Sequence, residues 1–309
     1  MESARRAVID VGTNSIKLLV ADVCGRDVQP VHEESRQTRL GKGFYETHRL
    51  QPESVAHTAA AVWEFAEIAR EKSSATIRVI ATSAARDALN PNDLTSAVER
   101  ASGLKTEIIS GAREAEWAFQ GVATDTELAK QPLLLLDVGG GSTEFILGHG
   151  LKKHFAHSFP LGTVRLMEKF PHSDPTRREF IKCRDWLKRF LQNEVRPLLA
   201  PALKNETGEI QLVGTGGTAS ILARIEKKLD RFDREKIERT VLSFEQVVAH
   251  RKNLWKLPLV ERKEIVGLPK LRADVILTGV IIYEAVMEEF GFKQLRVSTR
   301  GLRFAAVMD

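Results

Sequence analysis

Apolar residues along this chain form short runs that alternate between the spacing of strands and the spacing of helices. Apolar residues on both sides of the turn Gly12–Ser15 predict two strands joined by a tight connection. From Pro52 to Lys72 the apolar positions form one helical stripe, and a buried strand is predicted over Ala75–Thr82. Further along, Asp174–Pro175–Thr176 predicts the start of a long basic helix. Strands and helices are therefore expected to alternate.

The first turn has a second copy in the chain. The segment Asp10–Ser15 (DVGTNS) matches Asp137–Ser142 (DVGGGS), and each ends one apolar strand and begins another. A single hairpin of this kind is best interpreted as an ordinary glycine turn, but two matched copies with Asp at the same offset favour a repeated phosphate-binding loop. Two similar domains are therefore predicted, residues 1–125 and 126–309, with their junction within Thr124–Pro132.

A third glycine cluster, Gly214–Thr218, follows a predicted strand and begins a helix. The N–H groups at the start of a helix favour an anion, which makes Gly216 and Gly217 candidate phosphate contacts. The cluster lacks the Gly-Lys-Ser/Thr of a Walker A loop and the glycine spacing of a Rossmann fold. By itself it is a weak signal.

Charge and composition narrow the class of partner. Lys and Arg number 46 against 41 Asp and Glu, which gives a net charge of +5, and aromatic residues make up only 6%. This modest excess, without interleaved Arg and aromatic residues, favours a small phosphate-rich molecule over nucleic acid. No apolar run is long enough to cross a membrane, and no secretory signal is visible. Two cysteines support no disulfide framework, so a cytoplasmic protein is predicted.

The residues around the glycine loops suggest their chemistry. Only glycine lets backbone N–H groups approach phosphate without a Cβ in the way. The candidate phosphate-binding residues in these loops are Asn14, Ser15, Gly139, Gly140, Gly141, Ser142, Thr143, Gly216 and Gly217. A carboxylate beside a phosphate is repulsive unless a divalent cation lies between them. The hard oxygen ligands Asp10, Asp137 and Glu144 favour Mg²⁺.

Seven segments carry a family resemblance: VIDVGTNSIKLLVADV, ATSAARDA, IISGAREAEWAFQGV, LLLDVGGGSTEFILG, FPLGTVRLMEKF, LVGTGGTASILA and LRADVILTGVIIYEA. In this order they closely resemble the exopolyphosphatase/guanosine pentaphosphate phosphohydrolase (Ppx/GppA) family of the actin/sugar-kinase/Hsp70 ATPase superfamily. The resemblance implies two ribonuclease-H-like α/β domains flanking a cleft, and Mg²⁺-dependent hydrolysis of a terminal phosphate. It is to the short form of the family, since the sequence ends at Asp309 without the C-terminal helical, HD-like domain of longer relatives.

The resemblance also implies residue roles. Glu114 falls on the glutamate that activates water, Glu144 on the second functional glutamate and Asp137 on the metal-associated aspartate, while Arg86 resembles the phosphate-contacting arginine. Without the resemblance, Glu114 is better interpreted as a first-turn acid favoured by the helix dipole, and Arg86 could be a surface ion-pair residue. Arg113 stands where many relatives carry a second acid, and its effect on metal binding is left open.

The predicted activity is an exopolyphosphatase that releases orthophosphate from inorganic polyphosphate. The nearest alternative is a pppGpp 5′-phosphohydrolase. More distant alternatives are an ATP-dependent phosphotransferase and a sensor that binds polyphosphate or a nucleotide. A homodimer is expected, while dependence on K⁺ and regulation by a nucleotide are left open.

Overall fold

The computed structural model describes residues 3–170 and 176–309, and the chain forms two compact units. The first consists of Met1–Asp125 together with Arg300–Asp309, and the second of Thr126–Thr299. The helix start predicted at Asp174 and Pro175 lies outside the described residues. No helix within residues 3–170 and 176–309 has the length and apolar character needed to cross a membrane.

The last ten residues correct the predicted boundary of the second domain, because they pack in the first unit. The side chains of Leu302 and Phe304 share a buried cluster with Val8 and Leu19. Arg303 Nη1 donates a hydrogen bond of 2.8 Å to the Leu18 carbonyl. Burial of apolar side chains at the end of the chain therefore decides where this segment belongs.

The first unit is built on a five-stranded sheet in the order β3-β2-β1-β4-β5. Strands β1, β2 and β3 are antiparallel neighbours, whereas β4 runs parallel to β1 and β5 parallel to β4. The strands are β1 Ala4–Val11, β2 Ser15–Cys24, β3 Asp27–Gln37, β4 Thr76–Ala81 and β5 Thr106–Ile108.

Helices cover both faces of this sheet, because side chains of a strand alternate between its faces. Ile9 of β1 lies in one buried cluster with Val62 and Phe65, whereas its neighbour Val8 lies in another with Trp117. The helices of this unit are α1 Phe44–Thr47, α2 Pro52–Glu71, α3 Ser83–Arg86, α4 Pro91–Ser102, α5 Gly111–Val122 and, at the end of the chain, Leu302–Ala306.

The second unit repeats this sheet. Its strands are β6 Leu133–Val138, β7 Thr143–His149, β8 Lys152–Phe159, β9 Gln211–Thr215, β10 Val241–Ser243 and β11 Gln294–Val297. The order β8-β7-β6-β9-β11 has the same strand directions as the first sheet, and β10 adds an antiparallel edge strand beside β11. The predicted α/β fold with two ribonuclease-H-like domains is confirmed.

The helices of the second unit enclose one large core. They are α6 Thr163–Lys169, α7 Arg177–Phe190, α8 Arg196–Asn205, α9 Gly216–Lys227, α10 Arg234–Ile237, α11 Phe244–Lys256, α12 Leu259–Arg262 and α13 Ile276–Phe290, which makes the helix at Leu302–Ala306 α14. Short 3₁₀ turns lie at Leu128–Lys130 and Lys270–Arg272, and a π-helical turn at Leu191–Val195. The predicted long basic helix is thus present as one unbroken helical segment, in which that π-helical turn separates α7 from α8. Thr176 forms a capping box with Glu179 at the start of α7.

Candidate active site

The two matched sequence segments fold into matched hairpins. In the first glycine loop, Gly12–Ser15, the Gly12 amide donates to the Ser15 carbonyl at 3.1 Å. In the second glycine loop, Gly139–Ser142, the Gly139 amide donates to the Ser142 carbonyl at 3.0 Å. A Cβ on either leading glycine would lie 3.0 Å from the accepting oxygen, so a larger residue would crowd the turn at both positions. The repeat predicted from the sequence is therefore confirmed as a repeat of backbone geometry.

The first glycine loop contains a buried hydrogen-bond donor, the side-chain amide of Asn14. Asn14 is 5% exposed, and its Nδ2 atom has no hydrogen-bond acceptor among the residues that the structure describes. Leaving a buried amide nitrogen unsatisfied costs about 1–3 kcal/mol. An anion bound at this loop would remove that cost, and the phosphate contact of Asn14 stays a prediction.

The hairpins differ in the residue that faces each aspartate across the strand pair. Lys17 faces Asp10 in the first unit, with its Nζ 4.0 Å from the carboxylate. Burial raises the pKa of Asp10 above its usual range, and the positive charges of Lys17 and Arg303 oppose this rise. In the second unit Glu144 occupies the position of Lys17 and faces Asp137. One hairpin therefore carries a charge-compensated pair and the other carries two acids.

The two acids of the second unit fit a hard cation. Directly opposed residues of an antiparallel pair have Cβ atoms about 5 Å apart, and like charges there are destabilising. A divalent cation would relieve this repulsion, and Mg²⁺ takes one or two carboxylates while keeping water and phosphate as its other ligands. Glu144 is 1% exposed and accepts a hydrogen bond from Ser158 Oγ at 2.7 Å, which orients its carboxylate.

The described residues do not show a third side chain that would bind the cation together with this pair. Within residues 3–170 and 176–309, no group of three His, Cys, Asp or Glu side chains is placed to hold a metal ion. Asp10 lies in the first unit beside the positively charged side chain of Lys17. Its predicted role as a third ligand with Asp137 and Glu144 therefore stays a prediction.

The third glycine turn lies beside the acidic pair. Strand β9 runs parallel to β6 with Thr215 opposite Asp137, so both strands end at the same edge of the sheet. Gly216 has φ of +85°, and a Cβ there would lie 2.6 Å from Asp137 Oδ1. Only glycine fits this position, because it tolerates both the left-handed backbone and the adjacent carboxylate. The structure thus brings Gly216, Asp137 and Glu144 together, as a shared site requires.

Two residues that the sequence did not single out support this turn. Tyr283 is fully buried, and its hydroxyl donates to the Thr215 carbonyl at 3.2 Å. Burial raises the pKa of Tyr283 well above its usual value, and the negative charge of Asp137 adds to the rise. The guanidinium of Arg272 lies beside Gly217, where a Cβ would come within 3.0 Å of its Nη1 atom. Both residues lie in the segment LRADVILTGVIIYEA, which carries the family resemblance, but no local pattern in that segment indicates that they contact the third glycine turn.

In the first unit, Glu114 and Arg86 form an ion pair. Arg86 ends α3 after strand β4, and Glu114 lies in the first turn of α5 after strand β5, whose parallel pairing brings both strand ends to one edge. Arg86 Nη1 donates to Glu114 Oε2 at 2.9 Å and to the Ile109 carbonyl at 3.3 Å. Glu114 is 9% exposed. Its burial and its partner go beyond the capping role that the sequence left open, because the Ser110 side chain already caps this helix.

Arg113, the departure from the family pattern, is directed to other partners. Its Nη2 lies 3.1 Å from the side chain of Asp309, and its guanidinium stacks 4.7 Å from the centre of the Trp117 ring. All three residues belong to the first unit. Arg113 is therefore paired with Asp309, whose carboxylate is also paired with Arg78.

A leucine-glycine pair after the third strand of each unit supports its glycine loop. These pairs, Leu40–Gly41 and Leu161–Gly162, are called the braces below. A Cβ on Gly41 would lie 2.3 Å from Thr13 Cγ2, and a Cβ on Gly162 would lie 2.4 Å from the Gly140 carbonyl oxygen. The two contacted loop residues, Thr13 and Gly140, hold equivalent positions in the repeat. The repeated Leu-Gly dipeptide was a signal in the sequence that could have identified the braces.

The predicted phosphate ligand Thr143 takes part in the second brace. Its hydroxyl donates to the Leu161 carbonyl, and the residue is fully buried. The hydroxyl proton is thus used within the second unit, where it ties strand β7 to the brace. Thr143 therefore supports the loop through this bond.

Replacing Gly162 with alanine is expected to displace the second glycine loop. Gly162 has φ of −147°, which any residue adopts, so it is the close contact with Gly140 and Gly141 that requires glycine. We expect a loss of about 1–3 kcal/mol in the free energy of unfolding, measured by chemical denaturation, together with a lower kcat/KM. Gly103→Ala is the control, because Gly103 has open space but φ of +73° and should lose stability alone. Unchanged activity in Gly162→Ala would contradict the role of the brace.

The chain is similar to proteins of known sequence and structure. The family model of the Ppx/GppA phosphatase family matches residues 19–308. Exopolyphosphatase 2 of Mycobacterium tuberculosis is 34% identical over 96% of this chain and 96% of its own length. The crystal structure of an exopolyphosphatase from Cytophaga hutchinsonii has a TM-score of 0.87 and 29% identity over 97% of this chain and 96% of that one. The Ppx/GppA enzyme of Aquifex aeolicus has a TM-score of 0.79 and 30% identity over 99% of both chains. Together with the paired glycine-loop hairpins, these similarities show that the chain belongs to the Ppx/GppA phosphatase family.

Proposed function

We propose that this protein is an exopolyphosphatase, which uses Mg²⁺ to hydrolyse the terminal phosphate of inorganic polyphosphate and releases orthophosphate. The observation that carries the proposal is the second glycine loop with its neighbours. Backbone N–H groups of Gly140–Ser142 suit phosphate oxygens, and the opposed acids Asp137 and Glu144 suit the cation that accompanies them. The exopolyphosphatases among the relatives support the same substrate class.

The chain supplies a residue for each role in hydrolysis. Glu114 accepts a proton from water, whose oxygen attacks the terminal phosphorus while the bond to the bridging oxygen breaks. Arg86 holds the Glu114 carboxylate in place and offers its remaining N–H groups to phosphate oxygens. The loop amides and Asn14 Nδ2 bind the phosphate oxygens, whose negative charge they stabilise. Mg²⁺, held by Asp137 and Glu144 with Asp10 as a proposed third ligand, would neutralise the charge on the phosphates.

A substrate panel tests the proposed function. Orthophosphate release is measured from polyphosphates of several lengths, from pppGpp and from ATP, each with and without Mg²⁺. We expect Mg²⁺-dependent release with the highest kcat/KM on polyphosphate. A large preference for pppGpp would replace the proposal with pppGpp 5′-phosphohydrolase activity. Transfer of phosphate from ATP to an added acceptor would replace it with a phosphotransferase, and binding without release would replace it with a sensor.

The same purified protein addresses the remaining proposals. A homodimer is tested by light scattering at several protein concentrations. Dependence on K⁺ is tested by exchanging K⁺ for Na⁺ in the assay. Regulation by a nucleotide is tested by adding ADP, ATP or ppGpp to the polyphosphate reaction and measuring the change in kcat/KM.

A further inference from the structure

Three successive carbonyl groups of the second glycine loop are held from helix α6. The Gly139 carbonyl accepts from the Thr163 amide at 2.9 Å, and the Gly140 carbonyl accepts from the Val164 amide at 2.8 Å. The Gly141 carbonyl accepts from the side chain of Arg165, whose Nε lies at 2.9 Å. The first turn of α6 thus gives its otherwise unpaired amides to the loop, and Arg165 adds one side-chain donor.

These three bonds fix the direction of the loop amides. In a planar trans peptide, the N–H of one residue points opposite to the C=O of the residue before it. Carbonyls directed at α6 therefore turn the N–H groups of Gly140, Gly141 and Ser142 to the other side of the loop. Glycine peptides rotate more freely than others, so an outside contact is needed to hold this arrangement.

In the first unit, backbone amides hold the equivalent loop carbonyls. There the Thr13 carbonyl accepts from the Gly41 amide at 2.7 Å, and the Asn14 carbonyl accepts from the Arg39 amide at 3.1 Å. Asn14 holds the position in the first loop that Gly141 holds in the second. The Arg39 backbone amide thus holds the Asn14 carbonyl, whereas the Arg165 guanidinium holds the Gly141 carbonyl. A side-chain substitution can remove only the guanidinium.

We propose that Arg165 is a positioning residue of the second glycine loop. Its Nε–H fixes the Gly141–Ser142 peptide so that the Ser142 amide points at the oxygen of a bound phosphate. This inference rests on the proposed function for its effect on turnover, but the orientation of the peptide can be measured without turnover. Arg165 is half-buried and acts through the loop rather than by a reaction step of its own.

Kinetics of Arg165 variants test the effect on turnover. Arg165→Met removes the donor, and we expect kcat/KM on polyphosphate to fall by about 10- to 100-fold, with KM carrying part of the loss. Arg165→Lys keeps a charged donor and should recover part of the activity. Lys169→Met on the same helix is the matched control, because it removes one positive charge from an exposed residue and should leave kcat/KM unchanged. Full activity in Arg165→Met would overturn the proposal.

Nuclear magnetic resonance can observe the peptide itself. The chain contains one Gly-Ser sequence, Gly141–Ser142. Labelling glycine with ¹³C at the carbonyl and serine with ¹⁵N therefore gives a single HNCO cross-peak. We expect orthophosphate to shift this peak in the wild-type chain and in Lys169→Met. In Arg165→Met the carbonyl shift should differ before phosphate is added, and the response should need a higher phosphate concentration.

The kinetic and NMR measurements together distinguish failure of the proposed function from failure of the positioning role of Arg165. A wild-type chain that releases no orthophosphate from polyphosphate would refute the proposed function, while the peak would still report on Arg165. An Arg165→Met peak identical to the wild-type peak, with the same phosphate response, would overturn the positioning role even if activity fell. A lower melting temperature with an unchanged peak would show a structural role only, which also overturns it.

Discussion

Glu114→Gln is expected to lower kcat for orthophosphate release by about 10²- to 10⁴-fold, which is the usual contribution of a general base. Glutamine has nearly the same shape and keeps an oxygen that can accept from Arg86 Nη1, so the ion pair is replaced by a neutral hydrogen bond. It cannot take a proton from water. The dissociation constant for polyphosphate, measured by isothermal titration calorimetry, should therefore change little while kcat collapses.

Glu116→Gln is the matched control for this prediction. Glu116 lies two residues further along the same helix, and its carboxylate accepts from the Gln120 side chain at 3.0 Å. The variant makes the same chemical change on α5 and should keep wild-type kcat. Wild-type turnover in Glu114→Gln would show that another group activates water. Loss of both binding and turnover would instead assign Glu114 to the architecture of the first unit.

Glu144→Gln is expected to raise the Mg²⁺ concentration needed for half-maximal activity by about 100-fold. Removing one of two opposed carboxylates removes one of the protein ligands proposed for the cation, and changes even beyond the direct ligands typically cost 10- to 100-fold in metal affinity. Glutamine keeps an oxygen that can accept from Ser158 Oγ. The position of the side chain should thus survive while its charge is lost.

Thermal unfolding gives a measurement of this site that does not depend on turnover. A cation that binds the folded chain raises its melting temperature as the Mg²⁺ concentration rises. The wild-type chain should show this increase, and Glu144→Gln should lose most of it. Asp22→Asn is the control, because Asp22 lies on β2 in an ion pair with Arg5 and should keep the full increase. An increase of equal size in Glu144→Gln would place the cation elsewhere.

Much of the fold could be predicted because its central strands are short-range features. Strand β6 is buried on both faces and therefore appears as an unbroken apolar run, and the tight turn after it demands glycine. The outer strands β3 and β8 were not predicted. They have polar sequences, DVQPVHEESRQ and KKHFAHSF, since each lies at a sheet edge and is largely accessible to solvent. Edge strands take their conformation mainly from pairing with a neighbour, which local sequence does not report.

The residues of the candidate site also differ in how much the sequence alone could predict about them. Glu114, Asp137 and Glu144 could be identified from motifs, because each has a fixed offset from a glycine turn or a helix start. Arg165, Tyr283 and Arg272 also lie in segments that carry the family resemblance, but the sequence does not show their contacts. They reach the glycine loops and turns from α6, from α13 and from the 3₁₀ turn Lys270–Arg272. The same applies to Arg113, whose partner Asp309 is distant in sequence but lies in the same unit.

By itself, the sequence determined the duplicated hairpin, the glycine loops and the acidic residues beside them, because these depend on backbone conformations and apolar runs that a few adjacent residues specify. Only the tertiary structure decided which residue faces each aspartate, which groups hold the loop carbonyls, and that the last ten residues complete the first unit. Those outcomes depend on strand register and on burial between segments far apart in the chain. Neither is encoded in any short stretch of residues.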